Sequence, residues 1–213
     1  MKIERMTVGM LQEHTYFIID EESAKAFIVD PGAEPHRILE KITADGLSVE
    51  GILLTHGHFD HIGAVTQIRE ELGCPVIIHE CGKAYISNPD YNLSSVFARE
   101  DVVFEADRYV EHGDMVEIAG TDISLKVVFA PGHTSDGVAY YSDKEKVAFV
   151  GDIIFNGSIG RTDNPGGDMT TLLVSIKKNI FTLPEETVIY SGHGESTTVK
   201  REKNTNPFFH IYD

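Results

Sequence analysis

The stretch LLTHGHFDHIGA, residues 53–64, sets three histidines and an aspartate close together directly behind an apolar run. His56 and His58 are two positions apart, so in an extended segment their side chains point the same way and can share one cation. Asp60 and His61 follow at the turn before the next helix, where they can face a second cation nearby. Imidazole suits zinc, iron, manganese and nickel, and a carboxylate can bridge two cations.

Other apolar strands end in the same manner. GILLT runs into His56 and His58, LKVVFAPG into His133, KVAFVG into Asp152 and VIYSG into His193. Residues at the carboxyl ends of neighbouring buried strands collect along one edge of a sheet, where open α/β sheets place their ligand sites. Glycine beside His133 and His193 lets the backbone approach closely. The cluster at 56–61 is therefore expected to meet His133, Asp152 and His193. Of the ten histidines, His14, His36, His79, His112 and His210 stand apart and read as surface or satisfied core residues.

Around these ends the pattern alternates in period. KIERMTVGML, YFIID and AKAFIVD read as strands, the last closed by Pro31 and Gly32. Ile38, Leu39 and Ile42 mark one face of a helix that stops before Gly46, and Val65, Ile68 and Leu72 mark another that ends at Gly73. VEGILLT is a strand buried on both faces, and CPVIIH is another, with Cys74 a small core residue. Residues 81–115 lack a sustained period and read as a long excursion over the surface, which is uncommon unless functional. Strands resume with MVEIA, DISLKVVFA, GVAYYSD and KVAFVGD. A helix bearing Leu172, Leu173, Ile176 and Ile180 follows, then the strand TVIYSGHG and a polar helix over about 196–203. Strands and helices recur in each half, so two similar layers are expected to pack into one domain spanning 1–213.

Hydrophobic residues make up 41% of the 213-residue chain and charged ones 24%, ordinary values for a globular protein. The net charge of −16 repels phosphate backbones, and no dense run of Lys and Arg offsets it, so nucleic acid is excluded as an expected partner. There is no apolar run of membrane-spanning length and no basic-then-apolar leader, so the expected address is cytoplasmic, with no membrane partner. Cys74 and Cys81 have neither the number for a disulfide scaffold nor the spacing of a zinc knuckle.

The run His56, His58, Asp60, His61, followed at wide intervals by His133, Asp152 and His193, resembles the metallo-β-lactamase superfamily, and the likeness spans nearly the whole chain. The resemblance implies an α+β fold, a four-layer αββα sandwich. It also implies that His56, His58 and His133 hold a first metal, that Asp60, His61 and His193 hold a second, and that Asp152 bridges both. Two divalent ions are then expected, zinc foremost, with iron or manganese as alternatives.

Within the superfamily the segments APGHTSDGVAYY, GDIIFNGSIGRTDNPGGD and GHGESTTVKREKNTNPFF look most like compact glyoxalase II-type hydrolases. His14 stands where such relatives commonly carry asparagine and reads as a tolerated neighbour of the site. Larger glyoxalase II enzymes add a C-terminal helical domain that grips glutathione, and the expectation here is that this domain is absent.

The implied activity is hydrolysis of a small-molecule thioester such as S-lactoylglutathione, by attack of a metal-bridging hydroxide on the carbonyl. A thiolate leaving group of conjugate-acid pKa about 8.5 departs without a strong general acid. Asp60 is expected to serve catalysis as well as the second metal, by fixing the orientation of the nucleophile. Arg161 reads as a buried organiser of its loop, or as a contact for a substrate carboxylate.

GRTD also resembles persulfide dioxygenases, which would use one iron on His56, His133 and Asp152. A lactonase would share the two-metal chemistry. A β-lactamase is disfavoured because Asp152 stands where many such enzymes use cysteine. A non-catalytic metal-binding module is the plainest alternative. Oligomeric state is not legible.

Overall fold

Along the central strands odd and even positions are both apolar, so each strand needs an apolar partner on either face. The computed structural model describes residues 1–210, and the readings of the His210 side chain and of the tail at 211–213 lie outside the described residues. Three apolar layers satisfy the strands.

The first sheet contains β1 (Lys2–Val8), β2 (Glu13–Ile19), β3 (Lys25–Val29), β4 (Ser48–Leu53), β5 (Val76–His79) and β6 (Arg108–Val110), in that spatial order. Its first three strands are antiparallel and the last four run parallel. The second sheet comprises β7 (Met115–Glu117), β8 (Ser124–Phe129), β9 (Val138–Ser142), β10 (Val147–Gly151), β13 (Val188–Ser191) and β14 (Thr197–Thr198). They are ordered β14-β13-β10-β9-β8-β7, while β11 (Ile154–Phe155) and β12 (Ser158–Ile159) form a separate hairpin.

Alternation sorts the side chains. Phe17, Ile19, Ala26 and Ile28 pack outward against Ile38, Ile42, Val65 and Ile68 of the helices Pro35–Ala44 and Val65–Leu72. Their neighbours Tyr16, Ile18, Phe27 and Val29 turn inward to Val127, Tyr140 and Phe149 of the second sheet. Beyond it, Val128, Ala139, Tyr141 and Ala148 meet Leu172, Ile176 and Ile180 on Met169–Ser175 and its π-helical continuation Ile176–Ile180. The layers are helix, sheet, sheet, helix, as expected. Cys74 is buried in the outer cluster of the first sheet.

Two expectations need correction. Residues 81–115 are not merely a surface excursion. They form the short helices Lys83–Ile86 and Ser94–Phe97 and the edge strand β6, and they bury Tyr85, Ile86, Asn92, Ser94 and Val110. Periodicity missed them because elements of three or four residues are shorter than the window that reveals a period. The last polar helix begins later than about 196, at Val199, because Thr197 and Thr198 pair with β13 and the Thr198 hydroxyl accepts from the Arg201 amide as a cap.

Candidate metal centre

β3 and β4 lie parallel with Val29 opposite Leu53, so Asp30 and Thr55 leave the first sheet side by side. β10 and β13 are also parallel neighbours, which sets Asp152 beside Gly192 and His193 in the second sheet. Main-chain bonds join the two edges: His14 N–H donates to Gly192 O at 2.8 Å and Val138 N–H to Thr55 O at 2.9 Å. The expected single sheet edge is thus two edges facing each other. His56, His58, Asp60 and His61 come from one sheet, and His133, Asp152 and His193 from the other. Face-to-face packing brings both sets of strand ends to one rim.

All seven residues meet there. His56, His58 and His133 offer one donor atom each within 4.8 Å of one another, and so do Asp60, His61 and His193. Asp152 lies between the groups: Oδ1 is 3.4 Å from His61 Nε2, and Oδ2 is 3.7 Å from both His133 Nε2 and His193 Nε2. Asp60 Oδ2 is 3.3 Å from His193 Nε2.

Buried polar atoms almost always find a partner. Here His56 Nε2, His58 Nε2, His61 Nε2 and Asp152 Oδ1 are buried and have no hydrogen-bond partner. Several orphaned donors of metal-ligand type on one small space fit divalent cations, with the set of His56, His58 and His133 and the set of Asp60, His61 and His193 as two positions and Asp152 within reach of both.

The electrostatics agree with such a role. Burial, with the neighbouring imidazoles, holds His56 well below the ordinary histidine range, and burial takes His58 down to about 3 and His133 downward as well. These rings are neutral, as a ligand must be. Burial opposes the charged forms of His61 and His193, yet the carboxylates of Asp152 and Asp60 outweigh it and push both upward. Asp152 is likewise penalised by burial and still held below the usual carboxylate range by His61, His133 and His193. The carboxylates demand positive charge beside them.

Residues outside the expected set hold it in place. Asp30 accepts from Thr55 N–H at 2.7 Å, from the Thr55 hydroxyl at 2.5 Å and from His61 Nδ1 at 2.9 Å. Both of its oxygens are thereby engaged, and the bond to His61 Nδ1 makes it a support for that ring. Asp30 was legible in principle, since AKAFIVD ends in an aspartate as the other strands end in residues of metal-ligand type. The Arg161 carbonyl pairs with His133 Nδ1 at 2.7 Å and the Leu11 carbonyl with His193 Nδ1 at 3.1 Å. No side-chain pattern could have revealed those two. Glu13 is buried in the same region, with Oε1 3.9 Å from His61 Nδ1, and burial pushes its carboxyl well up.

The Arg161 side chain is not buried. It is exposed and paired with Asp163 through bonds of 2.7 and 2.8 Å, because a guanidinium keeps its hydration unless a buried acid compensates. Its loop is organised by the backbone instead. His14 is buried, with Nε2 2.8 Å from Gly194 O, and His79 is buried and stacked on Phe129. His36 and His112 are exposed. Among the described residues no helix is long and apolar enough to cross a membrane.

The family model for the metallo-beta-lactamase superfamily matches residues 8–193. The chain is 40% identical over 209 residues to the probable metallo-hydrolase YqgX of Bacillus subtilis, covering 98% of this chain and 97% of that one. It is 34% identical over 210 residues to the hydroxyacylglutathione hydrolase GloC of Haemophilus influenzae, covering 98% of each. The crystal structure of the BLEG-1 B3 metallo-beta-lactamase superposes with a TM-score of 0.91 at 36% identity, over 98% of this chain and 99% of that one. A di-iron-bound form of TTHA1623 superposes with a TM-score of 0.85 at 36% identity, over 96% and 99%. With its fold, its strand-end cluster and these likenesses in agreement, the chain belongs to the metallo-beta-lactamase superfamily.

Proposed function

We propose that this protein is a metal-dependent thioester hydrolase acting on substrates such as S-lactoylglutathione. The observation that carries the reading is the pair of three-residue donor groups with Asp152 within reach of both. The GloC relative, similar over the full length, supports the substrate class. His56, His58 and His133 would hold one ion, Asp60, His61 and His193 a second, and Asp152 would serve both. Zinc is the expected metal, and the di-iron relative makes iron the chief alternative. Bound there, divalent cations would supply a nucleophile at neutral pH and polarise the substrate carbonyl.

The chain's own groups do the rest. Asp60, at the more open end of the cluster and with Oδ2 3.3 Å from His193 Nε2, would fix the orientation of the attacking water while serving the second position. The buried imidazoles keep that end of the site fixed in geometry. The departing thiolate, with a conjugate-acid pKa of about 8.5, needs no strong acid.

A single iron on His56, His133 and Asp152, as a persulfide dioxygenase would use, leaves His58 Nε2 and His61 Nε2 buried without a partner, which favours two ions. Elemental analysis beside an activity panel tests the reading, with thioesters, a lactone, glutathione persulfide and, because of the likeness to BLEG-1, a β-lactam. The expected result is close to two ions per chain and preference for thioesters. Saturation at one iron with persulfide oxidation would overturn it.

A further inference from the structure

Exposed apolar side chains are concentrated in this acidic protein. Among the described residues, five of the ten large hydrophobic side chains left exposed are Met10, Leu11, Tyr91, Val96 and Phe97. They occupy two segments, and each segment is fastened to the donor cluster.

The first is the turn between β1 and β2. Gly9 and Gln12 adopt left-handed backbone, closing a tight turn that leaves Met10 94% and Leu11 55% exposed. This turn is no loose tip, because the Leu11 carbonyl pairs with His193 Nδ1. The second is the loop through the helix Ser94–Phe97. Fully buried Asn92 braces it: its Nδ2 donates to Tyr85 O at 3.0 Å and Val102 O at 2.7 Å, and its Oδ1 accepts from Ser94 N–H. The Asn92 carbonyl accepts from Phe59 N–H at 2.8 Å, and the Phe97 ring stacks on the Phe59 ring at 5.8 Å. Phe59 lies between His58 and Asp60 in the chain. A rigid, internally satisfied loop therefore holds Val96 at 70% and Phe97 at 59% exposure beside the cluster, where core packing gives them no reason to be.

Both segments converge on the same pair, since Asp60 and His193 are 3.3 Å apart. That pair is the open end: the side chains of His193 and Asp60 are 26% and 15% exposed, while His61 is closed off. A substrate reaches the cluster there. Arg161, which the sequence offered for a substrate carboxylate, is already engaged with Asp163, and Lys83 is engaged with Glu80. Arg5 donates to Gly194 O at 3.4 Å, next to His193 in the chain, and is the alternative tested below.

We infer that these two apolar segments are the walls of the substrate entrance and that the substrate of this site carries an extended apolar group next to its scissile carbonyl. The inference rests on the thioesterase reading and moves its substrate class from S-lactoylglutathione, whose acyl group is short and hydroxylated, toward thioesters with a longer apolar group. Apolar contact has the same chemistry on either side of the thioester, so the two sides are varied separately.

The test uses the metal-reconstituted protein. One series holds the thiol constant and extends the acyl group from acetyl through butyryl and hexanoyl to octanoyl. The other holds the acyl group and replaces glutathione by simple alkyl thiols of increasing length. Along at least one series kcat/KM is expected to rise by up to about fourfold per added methylene, chiefly through KM. The double variants Val96→Ser/Phe97→Ser and Met10→Ser/Leu11→Ser should flatten that slope, and Met115→Ser, exposed on β7, should leave it intact. Calorimetric binding of a non-hydrolysable S-octyl thioether should weaken in the same two double variants.

Flat series in the wild-type protein would overturn the inference, as would a steep fall on removing the glutathione peptide that is reproduced by Arg5→Gln. A wild-type dimer that dissociates in the serine variants would reassign the patch to self-association. Failure to hydrolyse any thioester would sink the activity instead, and thioether binding would still decide the walls.

Discussion

The Asp30 carboxylate holds His61 Nδ1 at 2.9 Å, so the opposite nitrogen of that ring, Nε2, is turned toward Asp60 and Asp152. Asp30 is itself fixed by the Thr55 amide and hydroxyl, and the chain of contacts reaches from the end of β3 to the centre of the cluster. Asp30→Ala is expected to lower affinity for the ion at His61 by about 10–100-fold. It should also cost about 1–3 kcal/mol for the buried groups left unpaired. Chelator competition and urea unfolding measure the two effects, and unchanged metal affinity would refute the supporting role.

Asp152 faces both groups, so its loss should weaken both positions together. Asp152→Ala is expected to reduce thioester turnover by more than the roughly 10–100-fold typical of losing an outer partner, with a fall in bound metal. His79→Ala is the comparison: that ring stacks on Phe129 and accepts from the Cys81 amide, away from the cluster. Stability should drop in this variant with turnover retained. Equal activity of the two variants on a good thioester would reject the assignment of Asp152.

Gly192 tests the geometry without altering a side chain of the donor cluster. A Cβ there would lie 2.5 Å from Asp152 Oδ1 and 2.5 Å from His61 Cε1. Gly192→Ala must therefore displace one or both. Metal stoichiometry should fall, while circular dichroism still reports a folded chain. Full metal loading in a folded variant would show that the cluster tolerates the displacement.

Asp136 is a fully buried carboxyl, and burial, only partly offset by the Thr134 hydroxyl and the Asp136 and Gly57 amides, pushes its pKa up from 3.8 to about 7. The folded state then binds a proton more tightly than the unfolded state does. Stability attributable to this group is full below the unfolded value near 4, declines as pH rises toward 7, and is constant above it. Asp136→Asn should match wild type near pH 4 and exceed it above pH 7, by at most about 4 kcal/mol. Chemical denaturation across this pH range measures the difference, and a gap that does not grow with pH would contradict the titration of Asp136.

The strand ends and the residues at them were legible in the sequence because both follow from local rules. Alternation and apolar runs locate strands, and a glycine beside His133, Asp152 or His193 marks where each chain segment leaves its sheet. Spacing within 56–61 announced donor chemistry for the same local reason. Tertiary structure alone decided that the ends belong to two sheets, since the faces of β4 and β10 are apolar on both sides and their partners cannot be read from either strand. It also decided the backbone supports, because carbonyls such as Leu11 and Arg161 are chemically alike at every position and acquire a role only by placement. The loop through Asn92 escaped the sequence entirely, because one buried amide bonding across residues 85–102 organises it, and such a bond leaves no period behind.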